Sequence, residues 1–254
     1  MKIKELIKGN YKYWLILVLI GIISGIPTAY YTLETTDSTI IEEAFAQIGG
    51  SMAIFVLITV MQCVSYALVC GAVGKIVAKK IGLWKKISFD AKSTIVSVLF
   101  GLGAGAVIMA FDILWFSNVS EAIKSSYQVK PTLVNLLASV TYGGIIEELM
   151  IRLFLMSLIA LILWKLFFKT EASVPGKALV IANVISAILF AALHLPSTMI
   201  TIGITPVILI RCFLLNGGVG LVFGRLYRKR GIHYAILAHI FAHIAMKLIW
   251  IFAV

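Results

Sequence analysis

Apolar residues fall into seven long runs separated by short polar or basic stretches. The first covers about Tyr13 to Tyr31, the second Ser51 to Val77 and the third Ser93 to Phe116. The fourth, Thr132 to Phe168, is long enough for one span with an extension or for two short helices. The last three cover Ala178 to Leu195, Ile204 to Leu226 and Ile232 to Phe252. About 20 helical residues cross a hydrocarbon core about 30 Å thick. Barrel strands would alternate apolar and polar positions over roughly ten residues, whereas these runs are unbroken, and a helix satisfies its own backbone in lipid. The pattern predicts an all-α, polytopic transmembrane bundle of seven spans, with an eighth short span around Thr198 to Leu209 as the variant. One integral membrane domain accounts for residues 1–254. The mixed apolar and basic stretch Ile81 to Lys92 (IGLWKKISFDAK) reads as an interfacial helix.

Composition agrees with that picture. The chain is 61% hydrophobic and only 13% charged, with a mean hydropathy of +1.05, which leaves too little polar surface to coat a water-soluble globule. Its net charge of +11 comes from cations that flank the spans. Such cations orient a membrane protein rather than bind nucleic acid. Lys2, Lys4, Lys8 and Lys12, the cluster from Lys75 to Lys92, then Lys165, Lys169 and Lys177, and finally Arg225 to Arg230 all fall on one side. The opposite loops carry only Lys124 and Lys130, and the first of them is acidic at Glu34, Asp37, Glu42 and Glu43. A cytoplasmic N-terminus in a prokaryotic plasma membrane follows as the expectation. The first run exceeds the length of a signal-peptide core and reads as an uncleaved anchor. Cys63, Cys70 and Cys212 all lie inside spans, so they build no extracellular disulfide framework.

Ionisable residues inside a bilayer are costly and mark candidate functional sites. The fourth run contains Gly143-Gly144-Ile145-Ile146-Glu147-Glu148-Leu149-Met150-Ile151-Arg152. Glu148 and Arg152 are four apart with the acid first, the favourable order for an ion pair. Glu147 points about 100° away and lacks that partner, so it is suited to work as a general base. The same acids could instead lock helices together or line an ion pathway. His194 ends the fifth run. His239 and His243 share one face of the last, where they could chelate a metal or hydrogen-bond one substrate group. Asp112, Arg211 and Lys247 are the remaining charges within spans, and Gly220 and Gly224 allow a close helix approach.

Taken in order, Glu147-Glu148-x-x-x-Arg152, Phe190-x-x-x-His194, Gly220-x-x-x-Gly224 with Gly231, and His239-x-x-x-His243 resemble the CPBP family. That family groups type II CAAX prenyl proteases with bacteriocin-processing and immunity proteins and lysostaphin-resistance-protein-A-like proteins. The resemblance covers residues 132–254. It implies an intramembrane endopeptidase in which Glu147 and His194 activate water, His239 and His243 stabilise the oxyanion, and Glu148 and Arg152 support them. It departs at His243, where the family usually has Asn. Either side chain can donate a hydrogen bond, but the departure keeps open a zinc site made of Glu147, His194, His239 and His243. The expected partners are the lipid bilayer and a membrane-associated peptide or protein, with leader or bacteriocin-type peptides favoured over a CAAX-like C-terminus. An immunity or scaffold protein and an ion or proton transporter are the competing classes.

Overall fold

The computed structural model describes residues 11–253, and Lys2, Lys4 and Lys8 lie outside them. Among the described residues there is no strand. Seven helices are long and apolar enough to cross a membrane: α1 (Tyr11–Thr35), α3 (Met52–Lys80), α4 (Ala91–Val119), α6 (Leu133–Phe167), α7 (Gly176–Ile202), α8 (Pro206–Arg230) and α9 (Ile232–Ala253). Two short helices lie between spans, α2 (Ser38–Gln47) and α5 (Glu121–Ser126). The seven expected runs are thus seven helices, and the long fourth run is one helix rather than two. The eighth span does not form, because the chain turns at Gly203 and Thr205 caps α8 by accepting from Ile208 N–H.

The stretch from Ile81 to Lys92 is not an interfacial helix. Gly82 adopts φ +73°, a conformation that glycine reaches without steric cost. The Gly82 N–H bonds Lys79 O and the Leu83 N–H bonds Ala78 O, the paired closure that stops a helix. Beyond it the backbone is held by tertiary partners instead of its own turns. Ser88 O accepts from Tyr234 Oη at 3.2 Å and contacts His233 Nε2 at 2.9 Å, while Tyr234 Oη accepts from Asp90 N–H. The segment is therefore a strap pinned to the start of α9. His233 is one of its buried anchors.

Packing brings α6 to the centre, against α1, α3, α7, α8 and α9, while α4 lies along α9 and α1 along α3. Small residues make these approaches close, as where Gly101 and Gly105 of α4 rest on the carbonyls of Ala238 and Ala242 in α9. The shared core includes Leu149, Leu153 and Met156 of α6 with Phe223 of α8 and Ala235 of α9. Large apolar side chains such as Leu57, Leu99 and Leu114 point outward, as lipid-facing surfaces require.

Asp90 caps α4 by accepting from Ser93 N–H at 2.8 Å. That backbone bond, then Ser93 and Tyr234, hold its carboxyl down at about 2. A depressed folded value stabilises the fold above the ordinary carboxylate range, near about 3.9, and the contribution is lost as pH falls through about 2. Asp90→Ala is expected to lower the melting temperature in detergent by about 2–4 °C at pH 7. The difference from the parent should shrink below about pH 4; equal melting curves at pH 7 would show that the cap carries no weight.

Candidate active site

The motif acids stand at the junction of two π-helical stretches in α6, Ser139–Ile146 and Leu149–Met156. Such wide turns bond residues five apart and recur at functional sites. Here the Glu147 N–H bonds the carbonyl of Tyr142, which stacks those two residues along one side of the helix. Gly144 lets α9 come close, since a Cβ there would sit 2.5 Å from Ile240 Cγ1.

Glu148 is wholly buried and joins three helices. Its Oε1 lies 3.1 Å from Arg152 Nη1 and 2.9 Å from His239 Nδ1. Arg152 in turn donates to Gly220 O of α8 at 3.2 Å and lies over the Phe190 ring at 4.4 Å. A Cβ at Gly220 would stand 3.2 Å from both Arg152 Nη2 and Ala187 Cβ, so the glycine makes room for the guanidinium as well as for α7. Glu148 Oε2, Arg152 Nε and Arg152 Nη1 are buried without a hydrogen-bond partner among the described residues.

Glu147 diverges from its neighbour, as the helical argument expects. Its side chain keeps 21% of its surface, and Oε2 lies 4.0 Å from His239 Nε2. Because the Glu148 carboxylate can only accept, His239 Nδ1 is the donor, and Nε2 of a neutral ring is left as an acceptor. The ring is sandwiched between Phe223 at 4.7 Å and His243 at 4.9 Å. His243 turns Nε2 towards Gly143, where it is buried without a hydrogen-bond partner.

By count of residues, His194 lies near the far end of α7 and His239 near the start of α9, depths that do not obviously meet. Phe190 resolves the difference. The His194 ring lies on Phe190 at 4.6 Å, and His239 reaches the same ring at 6.0 Å. His194 Nδ1 is 2.8 Å from Phe190 O; the carbonyl accepts, so Nε2 is the free acceptor. A cavity of about 360 Å³ is lined by Glu147 and His194 together with Tyr66, Tyr142, Met150 and Ser197. Behind Phe190 and His194, a smaller one of about 80 Å³ holds His239, His243, Arg211 and Asn216. The predicted residues therefore gather around one place, with Glu147 and His194 on the larger cavity and His239 and His243 on the smaller.

Arg211 and Asp112 were recognisable only as separate intramembrane charges. Arg211 Nε donates to Asp112 Oδ1 at 2.6 Å and Nη2 donates to Oδ2, while the Tyr127 hydroxyl also donates to Oδ2. Burial, and next the Asp112 carboxylate, push the Tyr127 phenol above its ordinary range, so it stays a donor. Opposite charges near the same end of two spans were the available signal, since a buried charge needs a partner. Asn216 carried no charge and left no such signal.

The alternative zinc site fits poorly. Zinc holds its nitrogen ligands at about 2.0–2.1 Å, yet His243 Nε2 abuts Gly143. Among the described residues, no group of three or more His, Cys, Asp or Glu is arranged to hold a metal ion. The geometry gives no reason to route a step through one.

Residues 129–245 match the family model described as type II CAAX prenyl endopeptidase Rce1-like, which is consistent with the CPBP family. No curated protein and no solved structure matches the chain.

The buried ion pair sets a double-mutant test. Arg152→Met should lower stability by about 3–5 kcal/mol, because Glu148 is left charged and unpaired. Adding Glu148→Gln should recover much of that loss. Denaturation in detergent measures both, and independent, additive effects would show that the two side chains do not act as a pair.

Proposed function

From a membrane chain consistent with the CPBP family, we propose that Glu147 and His194 activate a water for hydrolysis of a peptide bond in a membrane-associated peptide. The match to the Rce1-like family model supports an intramembrane endopeptidase of the CAAX type; the residue roles and the substrate are the finer reading. The observation that supports it is the shared cavity, in which the partly open carboxyl of Glu147 and the acceptor nitrogen of His194 face the same space.

A water held there has two proton acceptors. Its oxygen bonds to the carbonyl carbon, its proton passes to Glu147, and the carbonyl π pair moves onto oxygen. Collapse of the tetrahedral intermediate breaks the C–N bond, and the proton goes to the leaving nitrogen. His239 faces Glu147 from the other side, and any hydrogen bond between them needs a proton on one of the two. Its ring is fixed by Glu148, which Arg152 balances electrostatically. His243 packs against His239 and supports the orientation of that ring.

The test uses purified protein in vesicles and two quenched peptides, one ending in a prenylated cysteine followed by three aliphatic residues and one bearing a leader segment. The parent should cut at least one of them. Glu147→Gln and His194→Ala should each lower kcat at least about 100-fold, with unchanged melting temperatures. Cleavage that persists in both variants, or a parent that cuts neither peptide, would overturn the reading.

A further inference from the structure

Hydrolysis at the larger cavity needs a hydrogen-bond donor for the oxygen that becomes negative. The neighbouring imidazoles are poorly placed to supply it. His194 commits Nδ1 to Phe190 O, and His239 commits Nδ1 to Glu148. When neutral, each ring presents a lone pair and not a proton at Nε2. His243 directs Nε2 at Gly143. Among the hydroxyls on the cavity, Ser197 already donates to His194 O, and Tyr66 accepts from the Gln62 amide at 2.8 Å while keeping its own proton, which makes it the rival donor.

Tyr142 is different. It lines the same cavity as Glu147 and His194, yet among the described residues its hydroxyl has no hydrogen-bond partner, and it is not among the sealed polar atoms. A phenol in an apolar span that neither pairs with protein nor is walled off has its proton available to a ligand. Its position follows from the backbone. In a regular α-helix, residues five apart point about 140° away from each other, but the π turn closes a bond from Glu147 N–H to Tyr142 O and brings both side chains to the cavity.

We propose that the Tyr142 hydroxyl is a catalytic hydrogen-bond donor to the substrate's scissile carbonyl oxygen. As water adds to the carbonyl carbon and negative charge gathers on that oxygen, the phenol donates a hydrogen bond and keeps its proton. The bond strengthens with the charge, so the contribution falls on kcat more than on substrate binding. This rests on the water-activating reading of Glu147 and His194, and it gives the donor role to a residue outside the four family motifs.

Tyr142→Phe removes the hydroxyl and keeps the ring. With the quenched peptide that the parent cuts, kcat should fall about 100-fold with KM within about twofold and an unchanged melting temperature. Tyr66→Phe, which removes the rival hydroxyl on the same cavity, should lower kcat at least about tenfold less than Tyr142→Phe does. Parent-like kcat in Tyr142→Phe beside an inactive Glu147→Gln overturns the donor role alone and leaves the water-activating reading standing. Activity retained in Glu147→Gln and His194→Ala removes that reading and the donor role with it. A loss in Tyr66→Phe that equals or exceeds the loss in Tyr142→Phe also overturns the assignment. Should Tyr142→Phe melt early, Tyr142→Trp, which restores ring volume and an N–H donor, takes its place; kcat no higher than in Tyr142→Leu then counts against a donor.

Discussion

A fully buried carboxylate holds the motif-bearing half of this bundle together. Glu148 meets the Arg152 guanidinium on its own helix and the His239 imidazole on α9, while Arg152 extends the link to the Gly220 carbonyl on α8. Removing charges from water is expensive, and their mutual attraction repays it only with good geometry. Three atoms of the cluster remain without hydrogen bonds among the described residues, so the arrangement is not the cheapest way to fill a core. Its consequence is orientation: the His239 ring is fixed by an acceptor, by Phe223 and by His243 on the remaining face.

Around that anchor, the local geometry of α6 sets what each carboxyl can do. Adjacent residues on one helix face different surroundings, Glu148 an enclosed ion pair and Glu147 a cavity. The π-helical stretches on either side widen the helix at this point and align Tyr142 with Glu147. On α7, the ring of Phe190 stands where the larger and smaller cavities meet and touches both His194 and His239. One end of the bundle is tied by a second buried cluster, Asp112 with Arg211 and Tyr127, which brings Arg211 into the smaller cavity.

Much of this was legible before folding was considered. Hydropathy located every span because apolar length is what a bilayer demands of a helix. The four-residue spacing of Glu148 and Arg152 foretold their pair, since neighbours on a helix face are set by its pitch alone. The strap at Ile81–Lys92 was misread because amphipathic composition resembles an interfacial helix. What stops the helix is Gly82 together with hydrogen bonds to His233 and Tyr234, residues about 145 positions away in sequence. That His194 and His239 meet at one aromatic ring was hidden for a related reason: residue counting measures rise along one axis and does not show which side chain bridges two helices.

The sequence by itself determined a seven-span helical membrane protein and the small set of ionisable residues within its spans, because lipid penalises any charge that is not needed. Only the tertiary structure decided which nitrogen of each imidazole is spoken for and that Glu147 and His194 share a cavity. It also decided that His243 faces a glycine, and that a tyrosine five residues before Glu147 faces the cavity with a free hydroxyl. Those outcomes depend on contacts between helices and on a local widening of one of them, and neither is encoded in the spacing of residues along the chain.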